Sequence, residues 1–207
     1  MKWGAVCCWF LSMCSPGWAS DCLEYKLTPK IVINTPDWSK EVVQPKKPMD
    51  LWHGVVVATL VDNYDIVADV NKVNDGFCVG LKTVNAVVGY ENFRVNIDIR
   101  HKPETCEYKA VLAHEDKHIK TYLSVIDDFK KDLHDSVYAA ADSVMPVWVE
   151  SKDNLDDAIE VLNNRLQVHP ELIVVKQKIK AAEEIKNKQV DYMENGADLK
   201  KCGVKNI

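Results

Sequence analysis

The sequence predicts an α+β protein in which a small antiparallel β-sheet precedes a long helical hairpin. From about residue 23 to 100, Val- and Ile-rich segments are separated by turn signals, and apolar and polar residues alternate strictly in Phe93–Ile99. From Pro103 onward, apolar residues recur at steps of three and four, which is typical of amphipathic helices. We therefore expect a β-rich half over 20–102 and a helical half over 103–207, which together form one domain.

The β-rich half contains three turn signals after residue 50. They lie at Asp62-Asn63, at Asn74-Asp75-Gly76 and at 89–92. They divide this part of the chain into four short segments, each rich in β-branched residues. Because successive strands joined by short connections pair side by side, we expect an antiparallel meander.

The helical half shows start and stop signals. Thr105 is a suitable N-cap for a first helix that runs to about Ala141. A second helix is expected to begin near 151–153, where acidic residues crowd its first turn. Pro170 kinks or restarts this helix, and Gly196 is a suitable C-terminal stop. The two helical arms should therefore pack as an antiparallel hairpin.

The first 19 residues have the pattern of a secretory signal peptide. Lys2 supplies a positive charge, 5–14 is apolar, and Gly17 and Ala19 place small residues at a cleavage site near Ala19. No later apolar run approaches the length of a membrane span, so we expect a secreted or periplasmic protein without a transmembrane segment. The net charge of −5 argues against nucleic acid as a partner.

Four cysteines follow the predicted cleavage site, and an even number in an exported protein indicates disulfides with three possible pairings. We favour Cys78–Cys106, which would join a strand to the start of the long helix. The complementary pair, Cys22–Cys202, would join the two ends of the chain.

The segment His114-Glu115-Asp116-Lys117-His118 matches the H-E-x-x-H pattern inside the predicted long helix. Residues four apart on a helix lie one above the other, so His114 and His118 can direct imidazole nitrogens at one Zn²⁺ ion. Glu115 lies on the adjoining edge, where it can act as the general base toward a metal-activated water. These residue types in this order predict hydrolysis.

The layout also resembles a family of bacterial exported proteins that are predicted to be zinc-dependent proteases with a zincin-like H-E-x-x-H motif. The resemblance rests on an exported N-terminus, a β-rich first half, Cys106-Glu107-Tyr108 before the motif, and a long helical tail to Cys202. It covers most of the chain by layout but only about fifteen residues by motif. It implies a secreted peptidase-like fold and names no substrate.

A third metal ligand must come from another part of the chain, because His134 would lie about 24 Å from the motif along one helix. If the helical arms pack antiparallel, residues 180–195 lie level with the motif. We favour Asp191 or Glu194 as this ligand. Glu183, Glu184 and, less favoured, His101 at a strand end are alternatives, and Tyr192 could stabilise an oxyanion.

Two functions are compatible with these observations. The first is an exported zinc-dependent metallopeptidase that acts on a peptide or protein substrate, with Glu115 as the catalytic residue. The second is a non-catalytic periplasmic binding or structural protein, in which the H-E-x-x-H motif is vestigial or structural.

Overall fold

The computed structural model describes residues 22–50, 53–194 and 196–204, apart from the side chain of Glu194. The predicted signal peptide, residues 1–19, lies outside these residues. In the part of the chain that is described, no helix is both long enough and apolar enough to cross a membrane.

The described residues form five strands, four α-helices and two short 3₁₀ helices. The strands are β1 Lys30–Asn34, β2 Ser39–Val43, β3 Gly54–Val73, β4 Gly76–Ile97 and β5 Val147–Val149. The α-helices are α1 Cys106–Ser143, α2 Leu155–Gln167, α3 Pro170–Glu194 and α4 Ala197–Lys201. The 3₁₀ helices cover Leu23–Tyr25 and Lys152–Asn154. The chain is α+β, as the sequence predicts.

The prediction of a small antiparallel sheet is wrong. All five strands belong to one mixed sheet built around the long strand β4. Along one edge of β4 lies β3, which is antiparallel to it over almost its whole length. Along the other edge β5, β1 and β2 follow one another, and β1 and β2 are parallel to β4. A 22-residue strand offers backbone partners for three short strands in succession, so β1 and β2 need not pair with their neighbours in sequence.

Two of the three predicted turns lie inside strands. Asp62 and Asn63 are paired with Val88 and Val87 across β3 and β4, so cross-strand hydrogen bonding overrides their local turn preference. The predicted turn at 89–92 is likewise part of β4. Only the turn at Asn74 joins two strands, and Asn74 has a left-handed φ of 46°. The predicted meander of four short segments is therefore one long two-stranded hairpin.

The helices cover one face of the sheet. Thr105 is the N-cap of α1, and its side chain accepts a hydrogen bond from the backbone N–H of Tyr108, as predicted. The buried side of α1 packs against apolar residues of β4, among them Val88 and Val95. The helix α3 contacts α1 along their length and is antiparallel to it at the motif. This packing brings the end of α3 to the beginning of α1.

The favoured disulfide pairing is also wrong. The bonds are Cys22–Cys78 and Cys106–Cys202, with Cα–Cα distances of 5.4 and 5.6 Å. Because α3 returns antiparallel to α1, Cys202 lies beside the first residue of α1 rather than beside Cys22. The bond Cys106–Cys202 therefore links the start of the motif helix to the segment that follows α3. Two disulfides are compatible with export to an oxidising compartment.

Candidate metal centre

The helix α1 presents the two motif histidines at the border of its buried face. Val111, Glu115 and Ile119 point into the protein and are almost fully buried. His114 and His118 lie beside this buried stripe, and their side chains are 27% and 12% exposed. The two rings are therefore fixed by packing on one side and accessible from the other.

Three donor atoms converge at this position. His114 Nε2 and His118 Nε2 lie 3.1 Å apart, and Asp191 Oδ1 lies 3.2 and 3.1 Å from them, respectively. A tetrahedral centre with bonds of about 2.0–2.1 Å separates its ligand atoms by about 3.3 Å. Three such atoms at this spacing repel one another unless a hydrogen on a ring nitrogen or a metal ion lies between them. His114, His118 and Asp191 could hold a metal ion.

Asp191 comes from α3, as the antiparallel arrangement of the helical arms predicts. Its side chain is 52% exposed, so the donor cluster opens to solvent on the α3 side. The alternative ligand, Glu194, has a side chain that lies outside the described part of the chain. Glu183 and Glu184 lie earlier in α3, before Asn187 and about two turns before Asp191. They are not part of the donor cluster.

Asn187 completes the surroundings of His118 and is not among the residues predicted from the sequence. Its Oδ1 atom lies 2.8 Å from His118 Nδ1 and accepts a hydrogen bond from the N–H at this position. With Nδ1 protonated, the lone pair of the ring lies on Nε2, which faces the donor cluster. Asn187 precedes Asp191 by one helical turn, so the spacing N-x-x-x-D on one face of α3 was the available signal.

Replacing Asn187 with Ala is expected to weaken Zn²⁺ binding by about 10- to 100-fold, because the ring of His118 loses the group that fixes its tautomer and orientation. Competition of the purified protein with a chromogenic chelator measures this change. Asn164, an exposed asparagine on α2, supplies the matched control Asn164→Ala. Equal affinity in the Asn187→Ala variant and the wild type would show that the hydrogen bond does not support the site.

Glu115 lies beneath the donor cluster, against strand β3. It is only 3% exposed, and its carboxylate accepts a hydrogen bond from the backbone N–H of Val56. The pKa of Glu115 is raised to about 7, mainly by burial; the charge of His118 opposes this increase, and that of Asp191 contributes to it. Since both ligand residues influence this carboxyl group, Glu115 lies close to the donor cluster.

Gly54 allows this close packing of α1 on β3. A Cβ atom at this position would lie 2.5 Å from Val111 Cγ1 and 2.6 Å from Glu115 Oε1. Any larger residue would therefore push the Glu115 carboxylate away from its place. Gly54 is therefore needed because it leaves room for Glu115, and not because the backbone turns at this position.

The remaining predicted residues lie elsewhere. His101 Nε2 lies 2.8 Å from His53 Nδ1, and this pair is not part of the donor cluster. Tyr192 is 85% exposed on α3. A different tyrosine, Tyr122, follows His118 by one turn of α1. Burial raises the pKa of its hydroxyl, and Glu115 and Asp191 raise it further, so this hydroxyl lies near both carboxyl groups.

Two imidazoles and one carboxylate, with a buried carboxyl group alongside, form a group that could hold a metal ion. Two nitrogens and one oxygen are a ligand set that Zn²⁺ accepts, and three protein ligands leave one coordination position for water or substrate. Comparison of the chain with protein-family models, with curated proteins and with solved structures found no match.

Proposed function

We propose that this protein is an exported zinc-dependent hydrolase, and that its substrates are peptides or proteins. The observation that carries the proposal is the convergence of His114 Nε2, His118 Nε2 and Asp191 Oδ1 within 3.2 Å of one another, next to the buried carboxyl group of Glu115. This combination fits a metal site that keeps a coordination position open for catalysis. It also agrees with the zincin-like order of a β-rich half before the motif helix.

The residues have distinct roles in this proposal. His114, His118 and Asp191 hold Zn²⁺, which when bound lowers the pKa of a water molecule and polarises a carbonyl group. Glu115 takes a proton from the attacking water and delivers it to the leaving amine. The N–H of Val56 holds the Glu115 carboxylate in place, and Asn187 holds the ring of His118.

A peptide substrate is supported by the unpaired edge of β3. Within the described residues β3 pairs only with β4, so its other edge has no strand beside it. The N–H of Asp98 donates to the C=O of His53, and facing pairs alternate along the hairpin. The backbone N–H and C=O of Val56 therefore point away from β4. The N–H of Val56 donates to Glu115, so an extended peptide that adds to this edge would pair with the C=O of Val56 and with backbone groups farther along β3. This arrangement would place a peptide bond beside the donor cluster.

The test is cleavage of a broad peptide library, read by mass spectrometry. We expect the purified protein to cleave peptides with zinc present, to lose the activity after dialysis against a strong chelator, and to regain it when Zn²⁺ is restored. His134→Ala is the matched control, since this exposed histidine lies on the same helix, outside the cluster. Retained activity in the metal-free protein contradicts the proposal. Zinc binding without cleavage of any peptide would favour the non-catalytic alternative.

A further inference from the structure

A pocket of about 460 Å³ lies between β3, α1 and α3. Ala58 and Leu60 of β3 form one wall, and α3 forms the other. The aromatic rings of Tyr90 and Tyr122 pack against each other at a centroid distance of 5.0 Å and also line it. The pocket is therefore largely apolar, with two aromatic rings.

The pocket adjoins the candidate metal centre. Tyr122 follows His118 by one turn of α1, and Glu183 precedes Asn187 by one turn of α3. The wall residue Ala58 follows Val56, whose N–H holds Glu115, by two positions along β3. A chain that lies along the edge of β3 at the metal centre would therefore pass the pocket opening.

Two polar side chains of this pocket have buried atoms without a partner among the described residues, the hydroxyl of Tyr90 and the carboxyl group of Glu183. Only the carboxyl group can carry a negative charge that attracts a cation. Its Oε1 atom is buried and has no hydrogen-bond partner among the described residues. Burial, together with the smaller effect of the neighbouring Glu184 carboxylate, raises the pKa of Glu183 to about 7. A buried acceptor without a partner costs about 1–3 kcal/mol, so a bound group that donates hydrogen bonds would be stabilised at this position.

Two lysines also line the pocket, and neither neutralises the buried oxygen. The ammonium group of Lys176 donates to Asp62 Oδ2 at 2.6 Å, so it is directed at β3. Lys180 is exposed, so solvent screens its charge and weakens its effect on the buried carboxyl group of Glu183. Neither lysine therefore satisfies the buried acceptor Glu183 Oε1, which remains available to a bound donor.

We infer that this pocket receives a lysine or arginine side chain of the peptide substrate. The aliphatic part of such a side chain contacts Leu60, Ile173 and the two tyrosine rings, and its cationic end donates hydrogen bonds to Glu183. The rings of Tyr90 and Tyr122 add a favourable cation–π contribution. This inference rests on the proposed function, because it assigns the substrate class of the same site.

Two measurements on one equimolar peptide pool test the inference. The first is turnover: cleaved products of the zinc-loaded wild type are sequenced, and residues around each cut are counted. The second is binding: zinc-loaded Glu115→Gln protein is immobilised, and captured peptides are counted in the same way. Lys and Arg should be enriched in both measurements. Adding Glu183→Gln should reduce the enrichment by about tenfold or more, since a charge-assisted hydrogen bond is lost.

Glu184→Gln is the matched control, because it removes the same charge from an exposed neighbour and should leave the enrichment largely unchanged. Thermal unfolding of each variant checks that the fold is intact. Captured peptides without Lys or Arg enrichment, or equal enrichment with and without Glu183→Gln, would overturn the inference. Absence of turnover with preserved enrichment in capture would overturn the proposed hydrolysis and leave the pocket assignment standing.

Discussion

The His118→Ala variant is expected to lose stoichiometric zinc binding. His118 supplies one of three donor atoms, and it lies 3.1 Å from each of the other two. Its removal leaves two ligands, and it also leaves Asn187 without its partner. Since loss of a supporting hydrogen bond alone weakens metal binding by about 10- to 100-fold, loss of a ligand should weaken it by more than about 100-fold. Elemental analysis of the dialysed protein measures the effect.

The same measurement on His134→Ala provides the control. This histidine also lies on α1, its side chain is 54% exposed, and it is far from the donor cluster. We expect about one zinc ion per chain in the wild type and in this control. A full equivalent of tightly bound zinc in His118→Ala would show that the ion is held elsewhere.

The Glu115→Gln variant is expected to bind zinc as the wild type does but to hydrolyse peptides about 10²- to 10⁴-fold more slowly. The amide keeps the size of the carboxylate and an oxygen that can accept from the N–H of Val56, so the packing against Gly54 is preserved. The amide has no basic oxygen that can take a proton from water, so the lower rate of hydrolysis measures the loss of the general base. The rate is measured on the best peptide of the library with matched zinc content.

The neighbouring Asp116→Asn variant separates the general-base role from a general change in charge. Asp116 forms an ion pair with Lys40 of β2 at 2.8 Å and is not part of the donor cluster. It should retain most of the activity. If Glu115→Gln and the wild type hydrolyse peptides at the same rate, Glu115 is not the general base.

The helical half could be predicted from the sequence because its signals are local. Thr105 caps α1, Pro170 begins α3, and the spacing of His114 and His118 alone places both rings on one side of α1. Matching residues at equal heights along two antiparallel helices was enough to narrow the third ligand to Asp191 or Glu194, and the structure brings Asp191 to the motif. The role of Asn187 was overlooked, although its spacing from Asp191 follows from the same helical period.

The sheet could not be predicted because its pairings are not local. Strand β4 pairs with β1 and β2 across intervening segments that include the whole of β3, and no residue in those short strands specifies a parallel partner. The turn preference of Asp62-Asn63 was a misleading local signal. The disulfides depend on the same long-range arrangement, so Cys22–Cys78 and Cys106–Cys202 could not be selected by sequence distance.

The pocket beside the candidate metal centre likewise could not be predicted from local sequence. Tyr90, Tyr122 and Glu183 come from β4, α1 and α3, and no sequence spacing links them. Glu183 was considered only as an alternative metal ligand. The burial of its Oε1 atom depends on how β4, α1 and α3 pack together, which the sequence does not specify.

Anomalous diffraction at the zinc absorption edge, from crystals of the zinc-loaded protein, tests the metal centre most directly. We expect one strong peak within about 2.0–2.2 Å of His114 Nε2, His118 Nε2 and a carboxylate oxygen of Asp191. An anomalous map with no peak between these three residues, or with its strongest peak at other side chains, would contradict this expectation.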